Sequence, residues 1–126
     1  MAVLSWVFIA AAGLLHVYIF WLESFAWTAP RTRATFGTSP ALAEATKPMA
    51  YNQGWYNFFL AVGAFAAVGF LATGRADVGL ALACASAGSM VAAALVLVTS
   101  DASKLRAALI QGTLPAIGLV LLLVSR

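Results

Sequence analysis

Charged residues punctuate this chain at wide intervals, and the stretches between them are apolar. Residues 1–22, 48–74, 78–100 and 107–125 carry no Asp, Glu, Lys or Arg; they hold 22, 27, 23 and 19 residues, 91 of the 126. About 20 residues at ~1.5 Å rise cover a ~30 Å hydrocarbon layer, so each run is long enough to cross one as a helix. Backbone groups in lipid must be paired within their own segment, and the runs lack the apolar–polar alternation of a membrane barrel. The pattern predicts helices near 3–24, 51–73, 78–99 and 103–124. Two connections, TGRAD at 73–77 and TSDASK at 99–104, are short enough to force antiparallel neighbours. In them Gly74 suits a helix end, Asp77 an N-cap, and Ser100 or Asp101 another cap. The expected fold is all-α: an antiparallel four-helix transmembrane bundle, one domain over 1–126, with a single long loop at 25–50.

Composition strengthens this reading. Hydrophobic residues make up 63% and charged residues 9%, with mean hydropathy +0.97, against ~25% charged in an ordinary soluble domain. The lipid bilayer is therefore the expected partner. Seven Lys and Arg beside four acids form no basic run, so nucleic acid is not expected, and the excess is read as setting topology. Arg31, Arg33, Lys47, Lys104 and Arg106 fall on the long-loop side, Arg75 and Arg126 on the other. Five against two puts the long loop in the cytoplasm and both termini outside. Trp21, Trp27, Tyr51, Trp55 and Tyr56 mark the long-loop border, and Trp6 the opposite one. The first run has no Lys or Arg before it, exceeds a signal-peptide core in length and ends at Glu23, so it is expected to remain as a helix. The single cysteine, Cys84, excludes an intramolecular disulfide and a cysteine-built metal site.

The long connection is the one segment of soluble character. Pro30, Pro40 and Pro48 are expected to break it and Gly37 to turn it. Ser39 can cap a short helical stretch with Pro40 in its first position, and Trp27 and Phe36 can anchor the segment on the bundle mouth. In the third helix, Gly79, Ala83, Ser86, Ala87, Gly88 and Ser89 leave little bulk, which favours close packing within the chain over a dimer seam. The chain is nevertheless too small to bury every helix face, so a homodimer or trimer is expected.

Polar groups inside lipid are costly unless paired, so each asks for a reason. His16 and Glu23 lie two turns apart on one face of the first helix, with Trp27 beyond. Asn52, Gln53, Tyr56 and Asn57 open the second helix, and Gln53 and Asn57 share a face. Gln111 precedes Pro115 by four residues, so the proline releases its carbonyl. Measured along the helices, His16 and Gln111 lie ~12 Å and Asn57 ~9 Å in from the long-loop side. One half of the bundle thus collects an imidazole, a carboxylate and several amides, as a polar pocket would. The bland alternative has His16 bonded to a neighbouring amide, Glu23 paired with Arg31 or Arg33, and Asn52 and Gln53 serving as caps. A single His offers one haem ligand within a chain, and His16 with Glu23 makes a thin metal site. No cofactor is assigned.

The segments HVYIFWLESFAW (16–27), TAPRTRATFG (28–37), ATKPMAYNQGWYNFFLAVG (45–63) and QGTLPAIG (111–118) resemble the small integral membrane family designated domain of unknown function 1304. The likeness spans most of the chain, is strongest in NQGWYNFFLA (52–61) and weakest in the third helix. It implies a four-helix bacterial membrane protein, for which the inner membrane is the expected location, and supplies no activity. The family's recurrent polar positions fall on His16, Glu23, Asn52, Gln53, Tyr56, Asn57 and Gln111; Phe58 departs from it, standing where a glycine is expected.

The leading functional expectation is a binding site for a small lipophilic molecule in the cytoplasmic half of the bundle, with transformation of that molecule as an extension. Apolar walls carrying few convergent polar groups are the usual make-up of such sites. His16 and Glu23 would then supply acid or base, while Trp27, Asn52, Gln53, Tyr56, Asn57 and Gln111 bind and orient. Two other classes compete: a small proton-coupled exporter, and a membrane scaffold or subunit with no ligand. Glu23 near its helix end and a one-sided charge distribution weigh against the exporter.

Overall fold

Helix α1 (Ala2–Ser24) buries Ser5, Ile9, Ala12, His16, Ile19 and Glu23, one residue every three or four. That spacing averages about 3.6, the repeat of an α-helix that keeps one face against its partners. In the computed structural model, which describes residues 1–126, the remaining helices are α2 (Pro30–Phe36), α3 (Pro40–Ala72), α4 (Ala76–Ser100) and α5 (Leu105–Val124). The same seam recurs as Gly79, Ala83, Ser86, Met90 and Ala94 in α4, and as Ala108, Gly112, Pro115, Gly118 and Leu122 in α5. Helix α1 packs on α3 and α5, α4 packs on the same two, and α1 and α4 stand on the diagonal. Four helices are long and apolar enough to span a membrane, as the charge-free runs predict.

The core is built from small side chains. Ten of its fifteen buried hydrophobic residues are alanine, so cohesion comes from close backbone approach and dispersion. Gly118 shows how close. A Cβ there would lie 2.8 Å from Ile9 Cγ1 and 3.1 Å from the Ile9 backbone nitrogen. Large apolar side chains point outward instead, among them Leu14, Phe59, Leu95, Val96, Leu109 and Val120. Such an inverted distribution suits a lipid surround. In α4, Gly79, Ala83, Ser86 and Ala87 are buried within the chain, while Gly88 is half-buried and Ser89 exposed, so its small residues do serve intrachain packing.

The segment 25–50 departs from the expected long loop. Only residues 25–29 and 37–39 lie outside helices there. Ser39 caps α3 by accepting from the Leu42 N–H at 3.1 Å, with Pro40 in the first position. That helix then continues through Pro48 for 33 residues, about 50 Å. Pro48 removes the donor for the Glu44 carbonyl, but Glu44, Ala45, Lys47 and Pro48 are all exposed, where that carbonyl can turn to water. Pro30 likewise starts α2 and does not break it. Gly37, at φ 68°, ends α2 in the left-handed region that glycine favours.

The other connections are tight. Gly74, at φ 81°, turns the α3–α4 link, but the N-cap of α4 is Arg75; Asp77 sits in the first turn and pairs with Arg126 at 3.6 Å. Asp101 caps the 3-10 turn Ala102–Lys104, accepting from the Ser103 N–H at 3.0 Å and its hydroxyl at 2.6 Å. Those bonds hold its carboxyl below the usual range.

Candidate functional site

One glycine-sized gap and two polar contacts help fix how α1 meets α3. Gly54 leaves no room for a side chain: a Cβ would run into the Ser24 hydroxyl and lie 3.0 Å from both the Phe20 carbonyl oxygen and the Ser24 nitrogen. The Ser24 hydroxyl donates to the Tyr51 carbonyl at 2.9 Å. One turn further in, Asn57 Nδ2 donates to Glu23 Oε1 at 3.2 Å. Outside this seam, Phe20, Trp55 and Phe58 stack with centroids 4.8–5.7 Å apart. Phe58 belongs to this outer cluster and lines no part of the cleft described next.

Glu23 carries an unusual burden. Its side chain is 5% exposed, and Oε2 is buried without a hydrogen-bond partner. No Lys or Arg pairs with it, since the chain's one ion pair is Arg126–Asp77 at the opposite end. The pairing of Glu23 with Arg31 or Arg33 that its position in sequence allows is absent. Arg33 Nε instead donates to the Thr28 carbonyl at 3.2 Å, and Arg31 is exposed. A buried carboxylate oxygen left unpaired costs several-fold more than an exposed one.

One turn above this pair, a cleft of about 230 Å³ opens between the outer end of α3 and the connection that precedes it. Leu42, Thr46, Met49, Ala50 and Gln53 supply one wall from a single face of α3, and Trp27 and Thr38 supply the other. The Trp27 indole N–H donates to Thr46 Oγ1 at 3.1 Å, and its ring meets Phe36 at 5.0 Å. Lys104 Nζ donates to the Phe36 carbonyl at 3.0 Å, tying the end of α2 to the start of α5. So α2 does lie on the bundle mouth. Thr38 Oγ1 is a second buried oxygen without a partner.

The sequence-selected residues are therefore distributed over tiers. Trp27 and Gln53 line the cleft, and Glu23 and Asn57 are bonded beneath it. Asn52 and Tyr56 lie on the exposed side of α3. His16 is 3% exposed and its Nδ1 meets the Ala12 carbonyl at 2.8 Å; a carbonyl only accepts, so Nδ1 carries the hydrogen and Nε2 keeps the lone pair in the neutral ring. Gln111 is half-buried and its side chain makes no hydrogen bond within the chain. The Gly118–Ile9 contact sets the antiparallel register of α5 on α1. Seven residues along each helix, that register puts Gln111 and His16 at about the same level of the bundle. No group of three or more His, Cys, Asp or Glu is arranged to hold a metal ion.

Leu42, Thr46, Met49 and Ala50 escape a sequence reading that stops the helix at Pro48. Their i, i+4 and i, i+7 spacing with Gln53 was available, but only on a helix continuous through that proline.

A family model described as "Protein of unknown function (DUF1304)" matches residues 10–123. The chain belongs to that family. No curated protein and no solved structure matches it.

Proposed function

Starting from membership of a family defined by sequence alone, we propose that this chain is a membrane-embedded binding protein for a small lipophilic molecule. The molecule sits in the mouth cleft against Trp27, Leu42, Met49 and Ala50, with its polar end toward Gln53 and the Glu23–Asn57 pair. The observation that carries this reading is Glu23 Oε2, buried, without a partner, one turn beneath an apolar cleft. A folded chain retains such a group where a partner repays its desolvation. Apolar walls with few convergent polar groups also fit the usual make-up of small-molecule sites. In this reading Trp27 and Gln53 touch the ligand, Glu23 and Asn57 fix its polar end, and His16 and Gln111 form a deeper polar tier two turns further in.

Native mass spectrometry on protein extracted in mild detergent tests the proposal. The wild type should carry a bound small molecule of defined mass that is released on activation. Trp27→Ala, which removes the largest apolar wall, should lower its occupancy about tenfold, as loss of a buried aromatic anchor does. A ligand-free mass for the wild type in every detergent and in lipid nanodiscs would leave the scaffold reading in its place.

A further inference from the structure

We infer that the ligand of this cleft is a lipophilic amine, whose ammonium group pairs with Glu23; this rests on the mouth cleft being a binding site. Four observations converge on the head group. Glu23 already accepts from Asn57 through Oε1, so its remaining capacity lies at Oε2. That oxygen lacks a donor, so the carboxylate form of Glu23 calls for a ligand whose polar end donates. The side chain also lacks a counter-charge. Lys104 and Arg33, the half-buried cations of this end, are committed to the carbonyls of Phe36 and Thr28. A buried carboxylate is stable when paired with a cation that also donates to it, and an ammonium does both. Whichever partner brings the proton, the pair formed is ammonium and carboxylate.

The route and the tail fit the same class. Gln53 lines the cleft and is exposed, with no side-chain hydrogen bond, and Asn57 follows it by one turn on the same face. Gln53 is therefore the group that moves aside when a small head descends ~5 Å from the cleft to the level of Glu23. An ammonium passes where a bulky head group does not. The tail is left among Trp27, Leu42 and Met49, the last two strongly exposed apolar side chains at the membrane border. Trp27 adds an aromatic face to a cationic path, which favours a cation further.

Three probes of equal chain length separate head from tail: n-decylamine, n-decanol and decanoate, each bound to the full chain in phosphatidylcholine nanodiscs and scored by native mass spectrometry. The amine should bind about tenfold or more tighter than the alcohol, the gain expected of a hydrogen bond to a charged group, and decanoate should bind weakest. Glu23→Gln should erase the amine's advantage over decanol. Glu23→Asp keeps the charge but withdraws it by one methylene; it should shrink the advantage, and it decides the matter if the glutamine variant does not fold. Equal retention of amine and alcohol, with both lowered by Trp27→Ala, overturns the amine assignment while the binding site stands. A full amine preference surviving either Glu23 variant overturns it as well. Failure of all three probes to be retained, with Trp27→Ala without effect, removes the site and the assignment together.

Discussion

At the scale of single residues, the candidate site depends as much on the absence of a side chain as on the chemistry of those present. Gly54 lets α1 and α3 approach until Asn57 reaches Glu23, and a methyl group there would drive the Ser24 hydroxyl from its place. Its Cβ would press on two backbone atoms at 3.0 Å. Gly54→Ala should therefore cost about 1–3 kcal/mol by overpacking, measured by unfolding in detergent. Gly88→Ala provides the control, since nothing lies within 4 Å of its Cβ position; it should be neutral or stabilise α4 by up to ~1 kcal/mol. Equal effects in both would show that the α1–α3 approach does not govern the result. The polar residues themselves were legible from their cost in lipid: His16, Glu23 and Asn57 are turned inward, toward protein. The partner of each was not legible. Position in sequence offers Glu23 two arginines, and the fold hands it Asn57.

At the scale of elements, α3 decides where the cleft lies. Its span of ~50 Å exceeds the ~30 Å hydrocarbon layer, so the end that begins at Pro40 projects beyond the apolar region and forms a wall. The cap at Ser39 and the proline at 40 were readable from local rules. The continuity across Pro48 was not, because a proline signals a break whose cost depends on what surrounds the released carbonyl. Here the surrounding face is exposed, and the helix tolerates it. Pro48→Ala should restore the bond from residue 48 to the Glu44 carbonyl and stabilise the projecting end by up to ~3 kcal/mol. Amide exchange over 44–52 should slow accordingly, while exchange in α4 stays as it was. Unchanged exchange at the amides flanking position 48 would mean that the proline costs nothing here. Lys104 holds α2 down on this end, joining elements separated by 68 residues, a link that no local pattern announces.

At the scale of the whole molecule, the helices place Arg31, Arg33, Lys47, Lys104 and Arg106 at the mouth end and Arg75 and Arg126 at the other. Positive charge is retained on the cytoplasmic side, so the expected orientation has the mouth facing the cytoplasm and both termini outside. Alkaline phosphatase fused after Arg126 should be active, and a fluorescent protein fused there should be dark; the reverse pair of results would invert the topology. The number, type and antiparallel order of the spanning helices were settled by sequence alone. Twenty uncharged apolar residues have one low-energy form in lipid, and a five-residue link leaves the next helix no choice of direction. The rotation of each helix about its axis was beyond that reasoning. Periodicity fixes angles within a helix but not between helices; close contacts across the seams, such as Gly54 with Ser24, Gly118 with Ile9 and Gly63 with Ser86, set those angles. Tertiary packing therefore decided that Glu23 meets Asn57, and that Trp27 and Gln53 share a cleft whose lining does not include Asn52 or Tyr56. The physical reason is one of range: burial in lipid acts on each segment by itself, whereas the choice of partner needs contacts between segments far apart in the chain.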